Sequence, residues 1–90
     1  MKKHFKITVD GVVQGVFFRA SAKEKADELG ITGFVRNETD GSVYIEAEGD
    51  VANVKIFIQW CQQGPPRAKV GKFEVKEDIP KDFGRFIIER

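Results

Sequence analysis

The chain has 90 residues, 41% hydrophobic and 32% charged, and its 15 Lys and Arg against 14 Asp and Glu leave a net charge of +1. Such a chain builds one soluble domain with one modest core, and its charge balance counts against a general nucleic-acid binder, which needs a basic surplus to release counterions. One cysteine, Cys61, excludes an internal disulfide and any CxxC metal or redox motif, and neither a signal-peptide apolar core nor a run of roughly 20 apolar residues is present, so a cytoplasmic location is expected.

Phe5, Ile7 and Val9 alternate with Lys6, Thr8 and Asp10, the period of a half-buried strand reaching about Val13. Arg19 to Leu29 reads as a helix with Ala22, Ala26 and Leu29 on one face, stopped by Gly30. Ile31 to Asn37 reads as a second strand. Asp40-Gly41 supplies hairpin chemistry before a third strand carrying Val43, Ile45 and Ala47. Asp50 caps a second helix in which Val54, Phe57, Ile58 and Cys61 recur at helical spacing, and Gly64-Pro65-Pro66 ends it. Phe73 and Val75 mark a fourth strand, and Phe86 and Ile88 a short last one.

The order β-α-β-β-α-β, with a further β element, is a doubled βαβ pattern. Right-handed crossovers put both helices on one face and make the first and third strands central neighbours. The expected fold is therefore an α/β (α+β) ferredoxin-like sandwich with an antiparallel sheet, occupying residues 1–90 as a single domain. Many functions share that fold, so it decides none of them.

Chemistry concentrates in the stretch from Gly11 to Arg19. Gly11 and Gly15 permit unusual dihedrals and close approach by a ligand, and amides from Gly15 to Arg19 can converge on one tetrahedral anion at a helix N-terminus. Arg19 adds a planar fork of donors suited to phosphate or carboxylate. On spacing alone, a plain strand-to-helix turn with a surface arginine accounts for the stretch nearly as well. Asn37, by turn statistics, reads as a hairpin residue.

The run Gly11-Val12-Val13-Gln14-Gly15-Val16-Phe17-Phe18-Arg19 resembles the GxVQGVxFR signature of the acylphosphatases. Gly33-Phe34-Val35-Arg36-Asn37, followed by Gly41, Val43 and Gly49, is similar to that family's second signature, and Gly64 to Val70 to its passage out of the second helix. The resemblance spans essentially the whole chain. It implies a small, cytosolic, metal-independent enzyme that needs no cofactor and hydrolyses acyl phosphates to carboxylate and phosphate. It places the two catalytic residues on Arg19 and Asn37, and a backbone phosphate cradle on Gln14, Gly15, Val16, Phe17, Phe18 and Arg19. Asn37 is neutral, so its side-chain oxygen would aim a water at phosphorus rather than deprotonate it, in a direct displacement. The expected partners are a small acyl phosphate and competing phosphate-like anions, with no nucleic acid or membrane, and the chain is expected to be a monomer. The resemblance implies 1,3-bisphosphoglycerate, carbamoyl phosphate and acetyl phosphate as candidate substrates.

Other residues have plainer readings. Alternation sends Glu38 to the opposite sheet face from Asn37, and the turn explains Asp40. Cys61 and Trp60 read as packing, and His4 as a surface residue. Phe17 occupies a position that varies among acylphosphatases and is often glycine in bacterial ones. An RNA-recognition module has the same element order, but here the third strand offers Tyr44 flanked by Glu46 and Glu48, which would repel RNA. A regulatory domain that binds an acyl phosphate without turnover fits the same site. The acylphosphatase-like segment of hydrogenase-maturation carbamoyltransferases is a third reading; the chain's end at Arg90 favours the standalone enzyme.

Overall fold

In a computed structural model describing residues 1–89, β1 (Lys2–Val12) and β3 (Val43–Asp50) lie side by side and antiparallel, with Ile7 opposite Ile45 and Val9 opposite Val43. β2 (Thr32–Asn37) flanks β3, and β4 (Lys69–Asp78) flanks β1, each antiparallel to its neighbour. The sheet ends in the short β5 (Phe86–Ile88), giving the order β4-β1-β3-β2-β5.

Side chains of Ile7, Val9, Val35, Val43, Ile45 and Ala47 share one sheet face and are fully buried. Helices α1 (Phe18–Leu29) and α2 (Val51–Gln63) pack on that face and on each other. α1 contributes Phe18, Ala22 and Ala26, and the small alanines let it lie close to β2 and β5. α2 contributes Val54, Phe57 and Cys61. Burying one such side chain as large as Phe57 stabilises the fold by about 1.5–3 kcal/mol. The expected apolar stripes of both helices are those observed.

Two expectations need correction. The sheet is mixed, because β5 runs parallel to β2, with Gly33 opposite Phe86 and Val35 opposite Ile88. β4 runs opposite to β1, so a chain that leaves it, crosses the sheet and turns back enters the far edge in the direction of β2. β4 holds Phe73 and Val75 as expected and runs from Lys69 to Asp78. It is a largely exposed edge strand, so little burial alternation marks its ends.

The second correction is His4, which is fully buried rather than on the surface. It lies on the sheet face away from the helices, opposite Glu48 across the central pair. Its Nδ1 is 2.9 Å from Glu48 Oε1 and its Nε2 is 2.7 Å from Glu46 Oε1. The connection through residues 79–85 crosses this face. Backbone N–H groups of Lys81 and Asp82 donate to the Glu48 carboxylate, and the Phe83 ring stacks on His4 at 5.6 Å. A buried carboxylate is tolerated only when its lone pairs are so satisfied.

Candidate active site

The loop between β1 and α1 meets the end of β2 at a cleft of about 350 Å³. Gly15, Phe17, Phe18, Arg19 and Asn37 line it, and Val13, Ala20 and Ile88 complete an apolar wall. Two left-handed residues, Gly15 (φ 72°) and Phe17 (φ 64°, ψ 25°), curl the loop just before α1. Backbone curled in this way turns successive N–H groups towards a concavity. A β-carbon on Gly15 would meet nothing within 4 Å, so the loop is open on that side. Gly11 plays a different part from the one expected: it sits at a bulge where β1 presses against Lys69 of β4.

The two helix N-termini are treated differently. Asp50 caps α2 by accepting from the Ala52 N–H, at 3.3 Å. α1 has Phe17 at its N-cap, with no side-chain cap and no acidic residue in its first turn. Among the described residues, the loop amides of residues 15–18 donate no hydrogen bond. The half-buried Arg19 side chain lies beside them and enters no ion pair among those residues. Donors and positive charge are thus gathered at one end of the cleft and left for an anion.

Asn37 ends β2 on the helix side of the sheet, in register with Val43. Its Oδ1 is buried and, among the described residues, without a hydrogen-bond partner. Leaving such an oxygen unsatisfied costs about 1–3 kcal/mol, a deficit that one donating water would remove. The tertiary structure therefore brings Arg19 and Asn37, far apart in sequence, to the same cleft.

The members of the expected cradle separate by environment. Gly15, Phe17, Phe18 and Arg19 face the cleft, while Val16 is buried in the core at 8% exposure. Gln14 has a side-chain role that sequence reasoning missed. Its Nε2 donates to the carbonyls of Glu38 and Ser42, both at 2.8 Å, and ties the loop to the β2–β3 hairpin. Phe17 is 70% exposed at the cleft's lip. Its left-handed backbone costs a non-glycine residue about 1–2 kcal/mol.

The carboxylates nearest Asn37 are occupied elsewhere, as alternation and turn chemistry indicated. Glu38 Oε1 accepts from Arg36 Nε at 2.6 Å on the opposite face. Asp40 Oδ1 accepts from the Ser42 hydroxyl at 2.6 Å and from the Ser42 N–H at 2.9 Å, bonds that hold its carboxyl below the usual range. On the open face, Tyr44 donates to Glu46 at 2.7 Å, and the Arg36 guanidinium stands 4.9 Å above the Tyr44 ring. The aromatic that an RNA module would use for stacking is thus engaged within the protein.

Residues 5–88 match the family model described as Acylphosphatase. A relative named Acylphosphatase from Methylococcus capsulatus is 46% identical over 89 residues, spanning 98% of this chain and 97% of the relative. The acylphosphatase structure from Bacillus subtilis superposes with a TM-score of 0.94 at 36% identity, covering 100% of both chains. That from Coxiella burnetii also gives 0.94, at 38% identity, covering 98% of this chain and 93% of the other.

Proposed function

The chain belongs to the acylphosphatase family, and we propose that Arg19 and the loop amides hold the phosphoryl group of its substrate while Asn37 aims the attacking water. The reaction is hydrolysis of the carboxyl–phosphate anhydride of a small acyl phosphate to carboxylate and phosphate. The observation that carries the assignment of roles is the Oδ1 of Asn37, without a partner among the described residues, in the cleft that Arg19 and the curled loop line.

A carboxylate is a good leaving group, so the protein need not supply a strong acid. It has to place water in line with the bond that breaks and hold the charge of the phosphoryl oxygens. Arg19 supplies a permanent positive charge in a planar fork, and the amides from Gly15 to Arg19 supply dipoles fixed before the substrate arrives. Asn37 Oδ1 accepts one proton of the water as a hydrogen bond and directs its lone pair at phosphorus. A phosphorus–oxygen bond to water forms as the one to the carboxylate breaks, and the electron pair departs with the carboxylate. The water's proton passes to the phosphoryl group or to solvent, since Asn37 is no base.

Direct displacement by water requires neither a metal nor a phosphoenzyme. Inorganic phosphate and similar anions compete for the loop, and the enzyme works as a cytoplasmic monomer. Hydrolysis of benzoyl phosphate should therefore proceed undiminished in excess EDTA. Absence of hydrolysis, or complete dependence on added metal, would sink the proposal. So would a phosphorylated protein trapped during turnover and detected by mass spectrometry.

A further inference from the structure

Phe17 stands in the cleft without a structural reason of its own. The residue is 70% exposed, and the aromatic pairs of the described residues engage Phe18, Phe34, Phe57, Phe83 and Phe86 but not Phe17. Its backbone adopts the left-handed conformation at φ 64°, where a side chain is a burden and glycine would be at ease. Neither core packing nor local backbone preference accounts for a phenyl ring at this point.

The lining of the cleft does account for it. The polar groups lie on the first turn of α1 (Arg19), the curled loop (Gly15) and the end of β2 (Asn37), whereas Val13, Ala20 and Ile88 are apolar. Ile88 comes from β5, an element distant in sequence from the loop, so two separate parts of the fold supply the apolar side. Among the described residues, Arg19 is the one charged residue lining the cleft. Once it is engaged with the phosphoryl group, no second cation among the described lining residues meets a charge on the acyl portion. An acyl group with its own carboxylate or phosphate therefore gains nothing there, while a flat apolar one buries surface against a ring and a branched side chain.

We propose that Phe17 and Ile88 form an acyl-group platform that selects acyl phosphates with apolar, especially aromatic, acyl groups over small or charged ones. This rests on the proposed hydrolysis at Arg19 and Asn37 and specifies its substrate class. Phe17 and Ile88 act on the non-reacting part of the substrate and are specificity residues. Their contribution is a ratio of kcat/KM values between two substrates that share the same reacting bond.

The test compares benzoyl phosphate with acetyl phosphate for wild type, Phe17→Gly and Ile88→Ser. Glycine suits the left-handed backbone, so Phe17→Gly keeps the loop geometry while removing the ring. The benzoyl-to-acetyl ratio of kcat/KM should fall about tenfold in Phe17→Gly and about threefold or more in Ile88→Ser. Phe17→Leu, which restores apolar area, should recover part of that ratio. A ratio unchanged in both single variants, including equal losses on the two substrates, would overturn the platform while leaving the hydrolysis standing. Wild type that cleaves neither substrate would overturn the activity and the platform with it.

Discussion

Gln14 and Glu38 are joined across the site: the side-chain amide of the first donates to the main-chain carbonyl of the second at 2.8 Å. Glu38 follows Asn37 directly, and the same amide also reaches the carbonyl of Ser42. The loop that gathers amides is therefore fastened to the strand end that carries Asn37, the residue proposed to direct the water. Gln14→Met keeps the length of the side chain and removes both donors. It should cost about 1–3 kcal/mol of stability in denaturant unfolding, because two half-buried carbonyls lose a partner. It should also lower kcat more than it weakens inhibition by phosphate. Combined with Asn37→Ala, it should add little further loss of kcat, whereas multiplying losses would mean that the two residues act independently.

Arg19 and Asn37 should fail in different ways. Arg19→Gln removes the charge proposed to meet the phosphoryl group, so both turnover and competitive inhibition by phosphate should weaken. Asn37→Ala leaves the loop intact, so phosphate should inhibit nearly as before while kcat falls by about 100-fold or more. Inhibition constants for phosphate measured beside kcat separate the two. Equal phosphate affinity in Arg19→Gln and wild type would rule out the role given to Arg19.

The open face has its own pH dependence. Burial alone would raise the Glu48 carboxyl, but the Lys81 N–H, His4 and the Asp82 N–H together hold it below its ordinary value. A carboxyl lowered by folding stabilises fully above its unfolded pKa, and the benefit is lost as pH falls through the folded value. Acid should therefore loosen the 79–85 connection, and Glu48→Gln should flatten the acid limb of stability against pH. At pH 7 that variant should be less stable by about 3 kcal/mol or more, since it breaks a buried charged cluster. Thermal melts from pH 3 to 7 read both effects.

Cys61 should be silent in the folded protein. It is fully buried on the inner stripe of α2, and burial pushes its thiol well above the usual range, so almost no thiolate exists at neutral pH. A thiol reagent should label it only at the rate of unfolding, and labelling should become rapid in denaturant. Rapid labelling of native protein would show that α2 opens locally.

The elements of the fold were legible where burial is one-sided. The alternation of Phe5, Ile7 and Val9 and the helical recurrence of Val54, Phe57 and Cys61 each report a face turned to one core, and both survive in three dimensions. The two signatures held Arg19 and Asn37 as candidates, and the chain's fold places both at one cleft. β4 was harder to read because an exposed edge strand need not alternate. His4 was misread because nothing local distinguishes a surface histidine from one buried against residues 42 and 44 positions away.

By itself, then, the sequence determined the order of elements, the faces of both helices, the family resemblance and the chemical character of the loop. All of these rest on periodicity and chemistry within a few neighbouring residues. Only the tertiary structure decided the direction of β5, the burial of His4 under the 79–85 connection, the fastening of Gln14 to the hairpin and the arrival of Ile88 in the cleft that Phe17 also lines. Each of those depends on which distant residues meet once the sheet closes and its two faces are covered, and a contact of that kind leaves no periodic trace along the chain.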